Sequence, residues 1–142
     1  MGDYAVLAAR ITAGLLAGLY FTFAVAVMPA LRGLHEEAFV ETMRRINVSI
    51  VNPAFLLVFL AAPVLAVVAA LVVRSTVMYG AAALGVATLV VTVMINVPLN
   101  NHLAANGSRA AFEHRWVLSN AVRTLTGIGS FVCLLLARTT VH

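Results

Sequence analysis

The chain has 142 residues, of which 63% are hydrophobic and 10% charged, and its formal net charge is +4. Soluble domains are about half apolar and about a quarter charged, so this composition excludes a water-soluble globule and a disordered chain, and the single cysteine excludes a disulfide scaffold. The basic residues are few and lie between apolar runs, which is typical of membrane-flanking charge rather than of a nucleic-acid-binding surface. We therefore predict an all-α integral membrane protein with no nucleic-acid partner.

Four apolar runs are long enough to span a bilayer, which takes about 20 residues of helix. They cover residues 4–31, 50–73, 77–95 and 117–137. An even number of spans places both termini on one side of the membrane and the two long connections on the other. We predict one transmembrane domain, residues 1–142, folded as a four-helix bundle. The first span is expected to be retained rather than cleaved, because Asp3 and Arg10 leave its start without net positive charge.

The two long connections are predicted to differ. Residues 34–47 are predicted to form an amphipathic helix at the membrane surface, because apolar side chains recur there at i, i+4 and i+7. The second connection is predicted to be a loop that starts at Asn96, passes through Pro98 and turns at Asn106. Ser108 is predicted to cap a last helix of about 30 residues that runs unbroken into the fourth span.

Charge and small residues bear on placement and assembly. More arginines flank the long connections than the opposite side, which favours long connections in the cytoplasm, and a bacterial-type inner membrane is the expected location.

Gly14 and Gly18 form a small-xxx-small pair that predicts close helix contact. That contact would lie within the bundle or between two copies, so self-association is expected.

Arg123 is the most informative residue, because it lies about six residues, or roughly 9 Å, inside the fourth span. A charge at that depth is costly unless it snorkels, pairs or faces a wet cavity. Trp116, Asn120 and Arg123 share one helix face at i, i+4 and i+7, with Phe112 one turn above them. We predict that this face lines a pocket. A snorkelling arginine beside an interfacial tryptophan is the alternative.

The other spans carry polar residues at similar depth. Asn96 and Asn100 follow the third span, Asn47 precedes the second, and Tyr20 lies in the latter half of the first. The sequence therefore predicts a cup with an apolar floor and an amide-lined mouth, suited to a lipophilic small molecule or a membrane lipid.

Ionisable side chains outside the spans are candidates for acid–base work. His102 and His114 are the histidines nearest the predicted pocket. No His-x-x-x-His or Glu-x-x-His spacing occurs, so no metal site is expected. No nucleotide or haem motif is present either, and no cofactor is expected.

Four motifs carry a family resemblance. They are Met-Pro-Ala-Leu at Met28–Leu31, Met-x-x-Ile-Asn at Met43–Asn47, Asn-Val-Pro-Leu-Asn at Asn96–Asn100 and Trp-x-x-x-Asn-x-x-Arg-Thr at Trp116–Thr124. The chain resembles, over nearly its whole length, a family of small four-helix membrane proteins that includes anthrone oxygenases. The asparagine-flanked Val-Pro-Leu and the Asn-x-x-Arg-Thr motifs are its specific parts.

The resemblance implies cofactor-independent oxidation of a flat aromatic substrate through an enolate that reacts with dioxygen. It implies that Arg123, Asn100 and Asn120 stabilise the oxyanion. Trp116 and Phe112 would stack on the ring system, and His102 or His114 would be the base. A second interpretation stays open: a non-catalytic bundle that binds a lipid or small molecule, or an accessory membrane subunit.

Overall fold

The computed structural model describes residues 2–137, and this part of the chain is helical with no β-strand. The helices are α1 (Gly2–Thr22), α2 (Met28–Arg32), α3 (Glu36–Ile50), α4 (Pro53–Val73), α5 (Thr76–Val91), α6 (Val97–Ala104) and α7 (Arg109–Leu136). Two π-helical turns, Phe23–Val27 and Thr92–Asn96, join α1 to α2 and α5 to α6 without a break.

Four continuous helices are long and apolar enough to cross a membrane: Asp3–Arg32, Pro53–Val73, Thr76–Ala104 and Arg109–Leu136. They pack against one another as a bundle, and large apolar side chains cover its outer surface. The predicted all-α fold with four membrane-capable helices is confirmed. The predicted surface helix is α3, which begins at Glu36 and ends at Ile50, slightly later than expected.

Both π-helical turns precede a proline. The amide of Met28 donates to the carbonyl of Phe23 just before Pro29, and the amide of Val97 donates to the carbonyl of Thr92 just before Pro98. Proline has no amide hydrogen, and its ring clashes with the preceding turn of an α-helix. The wider π turn accommodates that clash, so the helix continues through each proline.

The second long connection therefore differs from the prediction. A loop starting at Asn96 is wrong, because residues 97–104 are helical and extend the third spanning helix. The turn is confined to residues 105–108, where Asn106 has a positive φ of 78°. Ser108 then accepts a hydrogen bond from the amide of Ala111 at 3.3 Å and caps α7, as predicted.

Of the three core clusters, the two larger ones lie at opposite ends of the bundle. At the end where α1 begins and α7 ends, small side chains such as Ala9, Ala69 and Ala81 let the helices approach closely. At the other end, which we call the α3 end, larger side chains fill the space beneath α3. Arg44 fixes α3 by donating to the carbonyl of Leu103 at 2.8 Å.

The two glycines of the small-xxx-small pair in α1, Gly14 and Gly18, have different surroundings. A Cβ at Gly14 would lie 3.1 Å from the Phe131 ring, so this glycine meets α7 within the chain. A Cβ at Gly18 would meet nothing within 4 Å. The Gly14 contact is thus intramolecular, and self-association through Gly18 stays a prediction.

Candidate functional site

A cavity of about 300 Å³ lies at the α3 end of the bundle, and we call it the large cavity. It is bounded by α1, α3, α4, the third spanning helix and α7. This volume falls at the lower end of the range for small-molecule sites, about 300–1,000 Å³. Most of its wall is apolar, and its aromatic members are Tyr20, Phe23, Phe55, Phe59 and Trp116.

Arg123 of α7 faces this cavity and is 8% exposed. Its Nη2 donates to Oδ1 of Asn120 at 2.8 Å, and Nδ2 of Asn120 donates to the carbonyl of Tyr20 at 3.1 Å. Asn120 thus links the guanidinium to the backbone of α1. Within the part of the chain that the structure describes, no carboxylate lies within 4 Å of Arg123.

Two aromatic rings flank the cation. The guanidinium carbon lies 4.6 Å from the Tyr20 ring centroid and 5.3 Å from that of Trp116. Such contacts stabilise a desolvated cation by roughly 0.5–2 kcal/mol each without cancelling its charge. Trp116 is oriented in turn by Asn100, whose Oδ1 accepts from the indole Nε1 at 3.0 Å. The cavity therefore keeps a positive charge that only neutral groups support.

Four buried polar atoms lack a hydrogen-bond partner in the described residues, and each belongs to a residue that lines the large cavity. They are the Tyr20 hydroxyl, Asn47 Nδ2, Asn96 Oδ1 and Arg123 Nε. Leaving such an atom unsatisfied costs about 1–3 kcal/mol, so native structures rarely do so without a reason. Their concentration around one cavity indicates a site for a polar or charged group.

The structure brings together six of the residues that the sequence singled out. The large cavity is lined by Arg123, Asn100, Trp116, Asn96, Asn47 and Tyr20. Asn120 does not line it but binds Arg123. Asn47 and Asn100 lie inside α3 and α6, so neither caps a helix, whereas Asn52 caps α4 by accepting from the amide of Phe55 at 3.0 Å.

Phe112, His102 and His114 lie elsewhere. Phe112 is fully buried behind Trp116, with ring centroids 6.1 Å apart, and it packs edge-on against Phe39. His102 borders a separate groove together with Pro98 and Arg115. His114 borders a third groove, so both histidines lie outside the large cavity. Phe112 therefore supports the tryptophan instead of presenting a face to the cavity.

Sequence reasoning missed Thr92 and Ser119. Thr92 lines the large cavity, and Ser119 accepts from Nδ2 of Asn96 at 2.9 Å. Helix periodicity could have identified both residues. Thr92 lies four residues before Asn96 and shares its helix face, and Ser119 lies four residues before Arg123 and shares its face. The stacked pair Phe55 and Phe59, with centroids 5.5 Å apart, was missed because nothing distinguishes it from other apolar residues of α4.

Metal ligation has little support in the described region. Among residues 2–137 there is no group of three or more His, Cys, Asp or Glu side chains that could hold a metal ion. The polar groups that face the large cavity are amides, hydroxyls and a guanidinium. This donor set suits an anion or a carbonyl oxygen rather than a divalent cation.

A family model matches most of the chain. The family model described as anthrone oxygenase matches residues 39–133, which is more than half of the chain and runs from within α3 to within α7. No curated protein and no solved structure matches the chain.

Proposed function

We propose that this chain, which belongs to the anthrone oxygenase family, binds a flat lipophilic anthrone-type ketone in the large cavity and promotes its oxidation by dioxygen. Arg123 would hold the substrate oxygen in its anionic form. The aromatic walls of the cavity would hold the ring system. The product would be the corresponding quinone.

One observation carries the proposal. The guanidinium of Arg123 faces an apolar cavity and is supported by Asn120 and two aromatic rings, with no carboxylate in the described residues within 4 Å. A cation held in this way is available to an anionic ligand, and its attraction is strong because the surroundings are poor in water. Preorganised charge of this kind is a common means of stabilising an oxyanion.

The chemistry then proceeds by conventional steps. An anthrone methylene loses a proton to give an enolate whose negative charge lies on oxygen, opposite Arg123. The enolate carbon transfers electrons to dioxygen and forms a C–O bond, giving a peroxide that takes up a proton. Loss of the second methylene hydrogen and cleavage of the O–O bond release water and leave a carbonyl. The balance is CH₂ + O₂ → C=O + H₂O, and it requires no resident cofactor.

The proton is proposed to leave to water, because His102 and His114 border other grooves. Arg123 makes that loss more favourable by stabilising the enolate. The amide Nδ2 of Asn47 and the hydroxyl of Tyr20, both buried and without a partner, are available to donate to a second oxygen on the ring system.

The substrate is proposed to enter from the lipid. Three apolar residues at one edge of the large cavity are exposed on the outer surface: Val51, Leu56 and Val97. Leu56 lies on α4, Val51 lies just before it, and Val97 lies on the third spanning helix, so the proposed entrance is between those two helices. We place the chain in a bacterial-type inner membrane, where this edge would meet acyl chains.

Turnover of 1,8-dihydroxyanthrone tests the proposal. Protein in detergent micelles should accelerate dioxygen uptake and quinone formation above the spontaneous rate. Arg123→Leu should lower kcat/KM by about 100-fold, the usual effect of removing one oxyanion-stabilising group. Arg123→Lys should recover part of this activity, because a point charge lacks the planar fork of the guanidinium.

Arg115→Leu is the matched control, because Arg115 lies on the same helix but is exposed and borders a different groove. It should retain wild-type turnover. Equal activity of the wild type and Arg123→Leu would contradict the proposal.

A second function, binding of an anionic lipophile without catalysis, is favoured by one observation: the described lining of the large cavity contains no histidine or carboxylate to act as a base. Under this alternative the wild type binds the probe, Arg123→Leu does not, and neither accelerates dioxygen uptake.

A further inference from the structure

A second, smaller cavity lies where the four long helices meet. It measures about 20 Å³ and is lined by α1, α4, α5 and α7 through Ala13, Leu16, Ala62, Pro63, Gly85 and Gly127. Most of these residues are buried, and the cavity lies near the middle of each helix. A volume of about 10–15 Å³ suffices for one water-sized molecule, so the small cavity fits a diatomic molecule but no ring system.

The wall of the small cavity is mostly apolar. Three side chains with a hydroxyl border it, and two of these hydroxyls are engaged: Thr88 Oγ1 lies 2.7 Å from Thr126 Oγ1, and Ser130 Oγ donates to the carbonyl of Ala81 at 2.8 Å. The third belongs to Tyr20, which lines both cavities, and it has no hydrogen-bond partner in the described residues. A buried water typically makes about three hydrogen bonds, which this wall does not offer. Empty apolar cavities of this kind stay dry and take up apolar gases.

The small cavity adjoins the large one. Tyr20 and Phe59 line both, so their side chains form the partition between them. The Tyr20 ring is also the ring that the guanidinium of Arg123 contacts. A molecule in the small cavity is therefore separated from the proposed oxyanion site by the thickness of one side-chain layer.

We propose that the small cavity binds dioxygen and supplies it to the substrate in the large cavity, an inference that rests on the proposed function for the fate of the gas. Dioxygen is an apolar diatomic that partitions into hydrocarbon, and the small cavity lies among membrane-capable helices. From there it meets the enolate carbon, accepts its electrons and forms the C–O bond of the peroxide. Dioxygen is the oxidant, and no further reductant is required.

Two variants reduce the small cavity. Ala62→Leu places a larger side chain on its wall. Gly85→Ala is milder, because the added Cβ would lie 3.3 Å from Ser130 Oγ and 3.8 Å from Pro63 Cα. Gly80→Ala is the matched control on the same helix, since a Cβ there meets nothing within 4 Å.

Paramagnetic relaxation of alanine methyl groups under dioxygen pressure detects the gas directly. In the wild type the buried methyl of Ala62 should relax at least as strongly as the exposed methyl of Ala83. Gly85→Ala should reduce the enhancement at Ala62 and leave that at Ala83 unchanged, whereas Gly80→Ala should alter neither. Weak relaxation at Ala62 in the wild type would overturn the proposal, whatever the outcome of the turnover assay.

The KM for dioxygen tests its role in the reaction. Ala62→Leu should raise the KM for dioxygen about fivefold or more, and Gly85→Ala should also raise it. The dissociation constant of 1,8-dihydroxyanthrone should stay unchanged in both variants. An unchanged KM in both variants would overturn the supply of dioxygen from the small cavity. Strong relaxation at Ala62 in a protein that turns over no anthrone would support gas binding and refute the proposed oxidation instead.

Discussion

Arg123 shows how a single residue gives the cavity its chemistry. A guanidinium removed from water normally pairs with a carboxylate, and removing that partner is strongly destabilising. Here the cation is supported by an amide oxygen at 2.8 Å and by two aromatic rings, which stabilise it and leave its charge intact. In the proposed complex, the bound anion would offset the free-energy cost of burying this charge.

Asn120→Asp tests that account at the neighbouring residue. The substitution places a carboxylate against the guanidinium and removes the amide that donates to the carbonyl of Tyr20. Neutralised in this way, Arg123 should attract an anionic ligand much less. We expect the affinity for 1,8-dihydroxyanthrone to fall by tenfold or more, about 1.4 kcal/mol, with the protein still folded. Unchanged affinity, measured by titration in detergent, would show that the charge of Arg123 does not bind the ligand.

The two π-helical turns are the elements that position the cavity wall. Phe23 lies in the first turn, Thr92 and Asn96 lie in the second, and all three line the large cavity. A π turn inserts an extra residue and so changes which side chains face inward. The π turn also explains why a loop was predicted at Pro98. A proline usually ends a helix, and the wide turn that tolerates it has no sequence signature of its own.

Helix α3 forms one wall of the large cavity, and Phe39 anchors it. This side chain is fully buried, packs against Phe112 and lies 4.3 Å beneath the guanidinium of Arg109. Phe39→Ala should weaken the docking of α3 by about 3 kcal/mol, the usual cost of truncating a buried phenylalanine.

Amide hydrogen exchange measures this effect. Exchange should rise in residues 36–50 and stay unchanged in α5. Val48→Ala, which truncates an exposed residue of the same helix, should change neither. Uniform acceleration across the whole chain would instead mean that Phe39 stabilises the entire bundle and not α3 alone.

At the scale of the molecule, the fold was predictable and the site only partly so. Length and hydropathy identify the four spans, because every backbone polar group in a bilayer must be satisfied within a helix. The stripe of Trp116, Asn120 and Arg123 followed from helix periodicity. The position of His102 outside the large cavity could not be predicted in this way, because it depends on how the third spanning helix is rotated after its π turn.

At the scale of the whole molecule, the central proposal is that Arg123, buried in an apolar four-helix bundle, binds an oxyanion. Anaerobic absorption spectra of bound 1,8-dihydroxyanthrone test this most directly, because ionised and neutral forms absorb differently and no oxidation intervenes. An opposite charge within about 4–6 Å lowers a ligand's pKa by 1–3, so wild-type protein should bind the ionised form at least about one pH unit below the midpoint in micelles alone. Arg123→Leu should abolish this shift, and Arg115→Leu should keep it. A ligand bound in its neutral form by the wild type, with the same midpoint as in Arg123→Leu, would contradict the account.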